Sequence, residues 1–241
     1  MSSPEGKPWV NVERSALNDG VGASELCASL GAGYTLITNA MWQTIARNIE
    51  TAQSAPGVYL NWSNSTIGGA NAINTGHGDL DPSGSCDGAI ENVKVDCLSI
   101  DDAKPQQKRT HTLSNNEVIW DIAGNVTEWV LVEVLTAEGS DSEMASKSWD
   151  TTQNSLEGPA SQLKWGPTHS YLPFADFPLT SGHGGLGYGY LSVPNGTSNG
   201  AYRGGGNGNV AGLDPGIFTV DFSTTFVGNP LTGFRCALVP E

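Results

Sequence analysis

The chain has 241 residues, with 11 basic and 25 acidic side chains and a formal charge of −14. That balance disfavours a nucleic-acid backbone as partner, and the length suffices for one domain that folds without metals or disulfides. It carries 31 glycines where a chain of this size ordinarily has about 17; with 13 prolines and 38% hydrophobic residues, this describes a loop-rich fold on a modest scaffold. No apolar run reaches the ~18 residues that cross a bilayer, and no signal peptide is visible at Met1–Pro8.

In chain order, Ala23–Leu30 predicts a short helix with Leu26, Cys27 and Leu30 at helical spacing, ended by Gly31 and Gly33. Thr38 then caps a second helix, whose apolar face is Met41, Trp42, Ile45 and Ile49 and which Pro56 prevents from continuing. From Gly57 to about Asn116 no period of either kind is sustained, which reads as a long loop region. Order returns at Glu117, where a Gly-Asn turn separates Val118 and Trp120 from an apolar run; Trp120, Val126 and Trp129 are the expected core residues. The polar stretch from Glu138 to Pro178 holds no Gly/Ser linker, so residues 1–241 are read as a single domain. AYRGG, GIFTVDF and TGFRCALV close the chain as three short strands.

Candidate chemistry is sparse. Asp79, Asp81, Ser83 and Gly84 begin like a calcium loop, but Ile90 stands where the bidentate Glu belongs and Glu91 is one place late. A structural calcium site using Asp79, Asp81 or Asp214 stays open, no other cofactor is expected, and metal binding is unknown. His77, His111, His169 and His183 fall in no metal or acid-base motif and read as solvent-facing or loop-packing. GxSxG is absent, and GHGGLGYGY is not a dinucleotide fingerprint. Sequons begin at Asn61, Asn64, Asn125 and Asn195. Cys27, Cys86, Cys97 and Cys236 form no CxxC pair; three disulfide pairings and the fully reduced state are all open.

Four segments in order are similar to one family: GYTLITNAMWQTIAR from Gly33, WDIAGNVTEW from Trp120, YRGG from Tyr202 and GFRCAL from Gly233. They resemble the formylglycine-generating-enzyme type of C-type lectin fold. Leu36-Ile37-Thr38 replaces its Leu-Pro-Thr, and Thr127 replaces the first Trp of its Gly-Asn-Val-Trp-Glu-Trp signature. The resemblance implies an α+β domain with two helices, short mainly antiparallel strands and long ordered loops. It also implies a disulfide between the first helix and the last strand, here Cys27 with Cys236, which would leave Cys86 and Cys97 as the other pair. Scaffold roles fall on Trp120, Gly124, Asn125, Trp129, Arg203, Phe218, Phe234 and Arg235. The cysteine pair that the sulfatase-modifying enzymes carry after Arg-Gly-Gly is missing between Arg203 and Cys236, so no catalytic residue is expected.

More narrowly, Arg203-Gly204-Gly205, Gly216-Ile217-Phe218 and Gly233-Phe234-Arg235 resemble the layout of diversity-generating-retroelement variable proteins. That likeness implies a variable region at 202–238 and noncatalytic binding of a protein or glycan receptor, with no membrane insertion, on a virion surface or an extracellular or cell surface. The alternatives are a structural virion or cell-surface domain without diversification, and a metal-dependent enzyme of the same superfamily. The implied variable or ligand-binding positions are Gly206, Asn207, Gly208, Asn209, Val210, Leu213, Asp214, Thr219, Asp221, Ser223, Thr225, Phe226, Val227 and Asn229. Tyr188, Tyr190 and Phe226 are candidate aromatic anchors. Strand alternation supplies the physical expectation: in GIFTVDF, Ile217 or Phe218 anchors the core while Thr219 and Asp221 point away.

Overall fold

The computed structural model describes residues 21–62, 73, 110–124, 126–132, 147–148, 190–192, 200–205, 216–223 and 232–239; for 147–148, 190–192, 200 and 221–223 only the backbone is described. Within these residues the chain is mixed helix and strand, with two helices and small, mainly antiparallel sheets.

Helix α1 spans Ala23–Ala28 and buries Ala23 and Cys27. Strand β1, Tyr34–Leu36, leads into α2, Asn39–Thr51, where the Thr38 side chain accepts the Met41 N–H as predicted. Trp42, Ala46 and Ile49 recur at i, i+4 and i+7 and are fully buried, while Met41 and Ile45 pack at the margin of the same cluster. The helix stops at Thr51, ahead of Pro56, because Ala52 is already extended.

A hairpin of β2 (Gln53–Ala55) and β3 (Val58–Tyr59) follows. Asn61 is 0% exposed. Its Nδ2 donates to the carbonyls of Ile49 (2.9 Å) and Thr112 (2.8 Å), and its Oδ1 accepts the Thr112 N–H at 2.7 Å. This sequon asparagine ties α2 to a strand that the long-loop reading missed: β4, Thr110–Thr112, which pairs antiparallel with β5, Val118–Trp120. His111 in β4 is fully buried. Asn61→Ala strips three backbone groups, one buried at Ile49 and two half-buried at Thr112, of their partner and is expected to cost about 2–4 kcal/mol in urea unfolding. Mass spectrometry of protein from a glycosylating host should find no glycan at Asn61.

The main sheet has six strands in the order β11-β6-β9-β10-β8-β7. They are β6 (Thr127–Val130), β7 (Lys147–Ser148), β8 (Tyr190–Ser192), β9 (Gly200–Arg203), β10 (Val220–Ser223) and β11 (Thr232–Phe234). β11 with β6 and β10 with β8 run parallel; the other pairs are antiparallel. Alternation along the central strands sends Val130 and Ala201 into a cluster with Trp42, Ile122, Phe218 and Val220. Trp129 and Tyr202 enter a second cluster with Ala23, Cys27 and Leu36. Both faces are therefore covered, and all four residues of β6 are buried.

The last strand, β12 (Cys236–Leu238), turns away from β11 at Arg235 and pairs antiparallel with β1. Gly33 lets it do so: a Cβ there would lie 2.9 Å from the Val239 carbonyl. Cys27 and Cys236 form a disulfide that fastens α1 to β12. Cys86 and Cys97 lie outside the described residues. No described helix is long and apolar enough to cross a membrane.

Candidate functional site

The end of the sheet where β9 finishes is built around Arg203, which is 0% exposed. Its Nε donates to Asn39 Oδ1 at 3.0 Å, Nη2 to Gln43 Oε1 at 3.2 Å and Nη1 to the Phe218 carbonyl at 3.3 Å. Asn39 and Gln43 are one turn apart on the buried face of α2, so the helix presents both acceptors to one cation. Burial, with Arg47 as a neighbouring like charge, pushes the Arg203 pKa down to about 9, so the group stays cationic at neutral pH.

Gly204 follows with φ +85°, and a Cβ on it would lie 3.0 Å from the Ile122 carbonyl and 3.3 Å from the Trp42 ring. Its carbonyl accepts two N–H groups, from Gly124 at 2.8 Å and from Gly216 at 3.1 Å. The residues on either side of 205–215 are thus joined at one carbonyl. Trp42 Nε1 holds the next stretch by donating to the Ile217 carbonyl at 2.9 Å.

One expectation is corrected here. Thr219 does not point away from the core; it is 1% exposed. Residues 216–219 form a turn, with the Thr219 N–H donating to the Gly216 carbonyl at 3.0 Å, and the strand begins only at Val220. Period-two alternation does not apply to a turn, and Ile217, Phe218, Thr219 and Val220 are all buried.

Arg235 forms the second knot. It pairs with Glu128 through Nε and, at 2.6 Å, through Nη2. It also donates to the carbonyls of Trp120 (3.3 Å) and Asp121 (3.1 Å) and lies 5.5 Å from the centroid of the Trp42 ring. Burial opposes the Arg235 cation, but Glu128 and then Asp121 outweigh it and hold its pKa above the ordinary value.

Trp120 is the second correction. Val126 and Trp129 are buried as expected, but Trp120 is 40% exposed. It belongs to the separate β4–β5 hairpin, where Ile119 packs on the core while Val118 (53% exposed) and Trp120 occupy the other face. Gly124 is the backbone donor to Gly204, and Phe234 borders the second cluster. Asn125 lies outside the described residues.

Of the implied variable positions, Asp221 and Ser223 stand in β10 as register partners of Tyr202 and Gly200. Gly206, Asn207, Gly208, Asn209, Val210, Leu213, Asp214, Thr225, Phe226, Val227 and Asn229 lie outside the described residues, as do Asp79, Asp81 and Tyr188; Tyr190 opens β8. The register places what flanks them. Arg203 sits opposite both Val220 and Glu128, and Thr232 sits opposite Thr127, with their hydroxyls 3.3 Å apart. Residues 205–215 therefore leave from and return to the sheet end where β11 starts, and 224–231 join β10 to that same end.

The buried polar members of this frame, Asn39, Gln43 and Glu128, were not singled out from the sequence. For the first two a signal exists: polar residues four apart, flanking Trp42, inside the apolar stripe of α2. Glu128 gives none, because its partner is 107 positions away. No group of three or more His, Cys, Asp or Glu among the described residues is arranged to hold a metal. Comparison with protein-family models, curated proteins and solved structures gives no significant match.

Proposed function

We propose that this chain is a noncatalytic binding module, a C-type lectin-like domain of the formylglycine-generating-enzyme type that displays a diversified C-terminal surface to a protein or glycan receptor outside the cell or on a virion. The observation that carries this reading is the closure at Gly204. Gly204 and Gly216, on either side of that segment, meet at a single carbonyl backed by buried Arg203 and Trp42, which supports a frame held by contacts outside the proposed variable positions. The same separation applies at 224–231, which lie between a paired β10 and a paired β11. A noncatalytic role is supported by the sulfur chemistry: no cysteine lies between Arg203 and Cys236, and the Cys236 sulfur is bonded to Cys27.

The genetic test is inspection of the surrounding DNA for a second near-copy of the segment encoding 202–238 and for a reverse-transcriptase gene; a complete genome with neither counts against diversification. The physical test compares libraries. Substitutions at Asn207, Asn209, Thr225 and Asn229 are expected to stay within about 0.5 kcal/mol of the parent, whereas Phe218→Ala, at a fully buried position, is expected to cost roughly 3–5 kcal/mol. Equal loss of folding in both sets would defeat the separation of frame from surface.

A further inference from the structure

We propose that the Cys27–Cys236 disulfide is a redox latch: glutathione-type thiols open it at Cys236, and its opening releases a flap made of 21–36 and 236–239 from a six-stranded sheet that stays folded. The bond joins the two parts of that flap across 209 residues of sequence.

Hydrogen bonds set the boundary of the flap. Ile37 is gripped on both sides, its N–H donating to the Arg235 carbonyl at 3.0 Å and its carbonyl accepting the Leu131 N–H at 2.9 Å. Arg235 is held in turn by Glu128 and by the carbonyls of Trp120 and Asp121. The fixed core therefore ends at Ile37 on one side and at Arg235 on the other. Beyond those residues lie α1, six residues long with no side-chain cap at Gly22, and the β1–β12 ribbon of three residue pairs. A helix and a ribbon of that size are marginal by themselves, so the cross-link is what they depend on.

Apolar surface of the main sheet lies beneath. Trp129 and Tyr202, with ring centroids 4.0 Å apart, are buried in one cluster with Ala23, Cys27 and Leu36 of the flap. The other cluster, which contains Trp42, Ile122, Phe218 and Val220, draws on the flap only at its margin, through Ala237, among the described residues. Opening the latch thus uncovers the Trp129–Tyr202 pair and leaves the larger cluster and both arginine knots in place.

The two sulfurs differ in access. Cys27 is fully buried and Cys236 is half-buried, so an external thiolate approaches from the Cys236 side. A glutathione thiolate attacks the Cys236 sulfur, the S–S bond breaks, and its electron pair leaves on Cys27, which takes a proton from water. A second glutathione thiolate attacks the mixed disulfide, giving glutathione disulfide and the Cys236 thiol. Two glutathione thiols are oxidised and one protein disulfide is reduced, and the reverse exchange with glutathione disulfide closes the latch in an oxidising medium.

The test uses the full chain, reduced and oxidised glutathione, and the apolar dye anilinonaphthalene sulfonate. On reduction the amides of 21–36 and 236–239 are expected to exchange about tenfold faster or more, and those of 127–130 and 201–203 less than about twofold faster. Dye fluorescence should rise while a single cooperative melt is retained, and oxidised glutathione should reverse these changes. Trapping after brief exposure should place glutathione on Cys236 rather than Cys27. Equal loss of protection in the sheet, an unchanged flap once both sulfurs are reduced, or glutathione first on Cys27 overturns the latch, and all three are read on the unmodified protein. The Cys27→Ser, Cys236→Ser double variant is expected to behave as the reduced protein and to ignore glutathione; a remaining response there assigns the effect to another bond and also overturns the latch.

Discussion

Replacing Cys27 and Cys236 together by serine is expected to lower stability by about 5 kcal/mol. The two residues are 209 apart in sequence, and a cross-link over so long a loop removes a correspondingly large entropy from the unfolded chain. The bond also acts locally. Cys27 is the buried residue of α1 that faces β12, and the second core cluster consists of α1, β1 and β12 residues packed on Trp129 and Tyr202. With the link gone, α1 and the β1–β12 pair are expected to lose protection from hydrogen exchange before the six-stranded sheet does. Guanidinium melts with and without reductant check the magnitude, and exchange mass spectrometry checks the order. Unchanged melting in reductant would show that the pairing contributes nothing.

Trp42→Ala is expected to cost roughly 4–6 kcal/mol. The side chain is fully buried, a Trp-to-Ala truncation removes about 3–5 kcal/mol, and the Ile217 carbonyl loses the indole N–H it accepts. At this chain length that corresponds to a melting temperature lower by about 10–20 °C. Trp42→Phe keeps most of the packing and loses the hydrogen bond, so it separates the two contributions at an expected cost of about 1–3 kcal/mol. Trp42 also meets Gly204, Ile217 and Arg235 at once, so even the milder variant should disturb the ends of 205–215. Broadened amide resonances at Gly204 and Gly216 would report this, and sharp, unshifted ones would show that the frame holds without the indole.

These two effects differ in how far they could be read from the chain alone. Helix α2 was legible because its signals are local: a Thr cap at 38, apolar residues at helical spacing, and no breaker before its end. Trp129 was legible as core because it opens the apolar run Trp129–Val132, and Val126 because it is the apolar residue between the Gly-Asn turn and that run. Strand β4 was not, since three residues of Thr-His-Thr carry no pattern until Asn61 and β5 supply their hydrogen bonds. Trp120 and Thr219 were misplaced for one shared reason. Sequence assigns an inward or outward face by residue type and alternation, but the face that is covered depends on which strands pair. Among the described residues β5 pairs with β4 alone and leaves Trp120 partly exposed, whereas a turn held by Gly216 carries Thr219 inside.

By itself the sequence determined the loop-rich character, the acidic charge, the cap and apolar stripe of α2, and the lack of any cysteine between Arg203 and Cys236. Those properties are sums over residues or follow from neighbours within one turn of helix. The tertiary structure decided that Arg203 is caged by two polar side chains of α2, that Arg235 reaches Glu128 and the Trp120 carbonyl, and that one Gly204 carbonyl gathers Gly124 and Gly216. Each of these contacts joins residues some 12 to 164 positions apart, and such partners are chosen by the packing of whole elements rather than by anything in the adjoining chain.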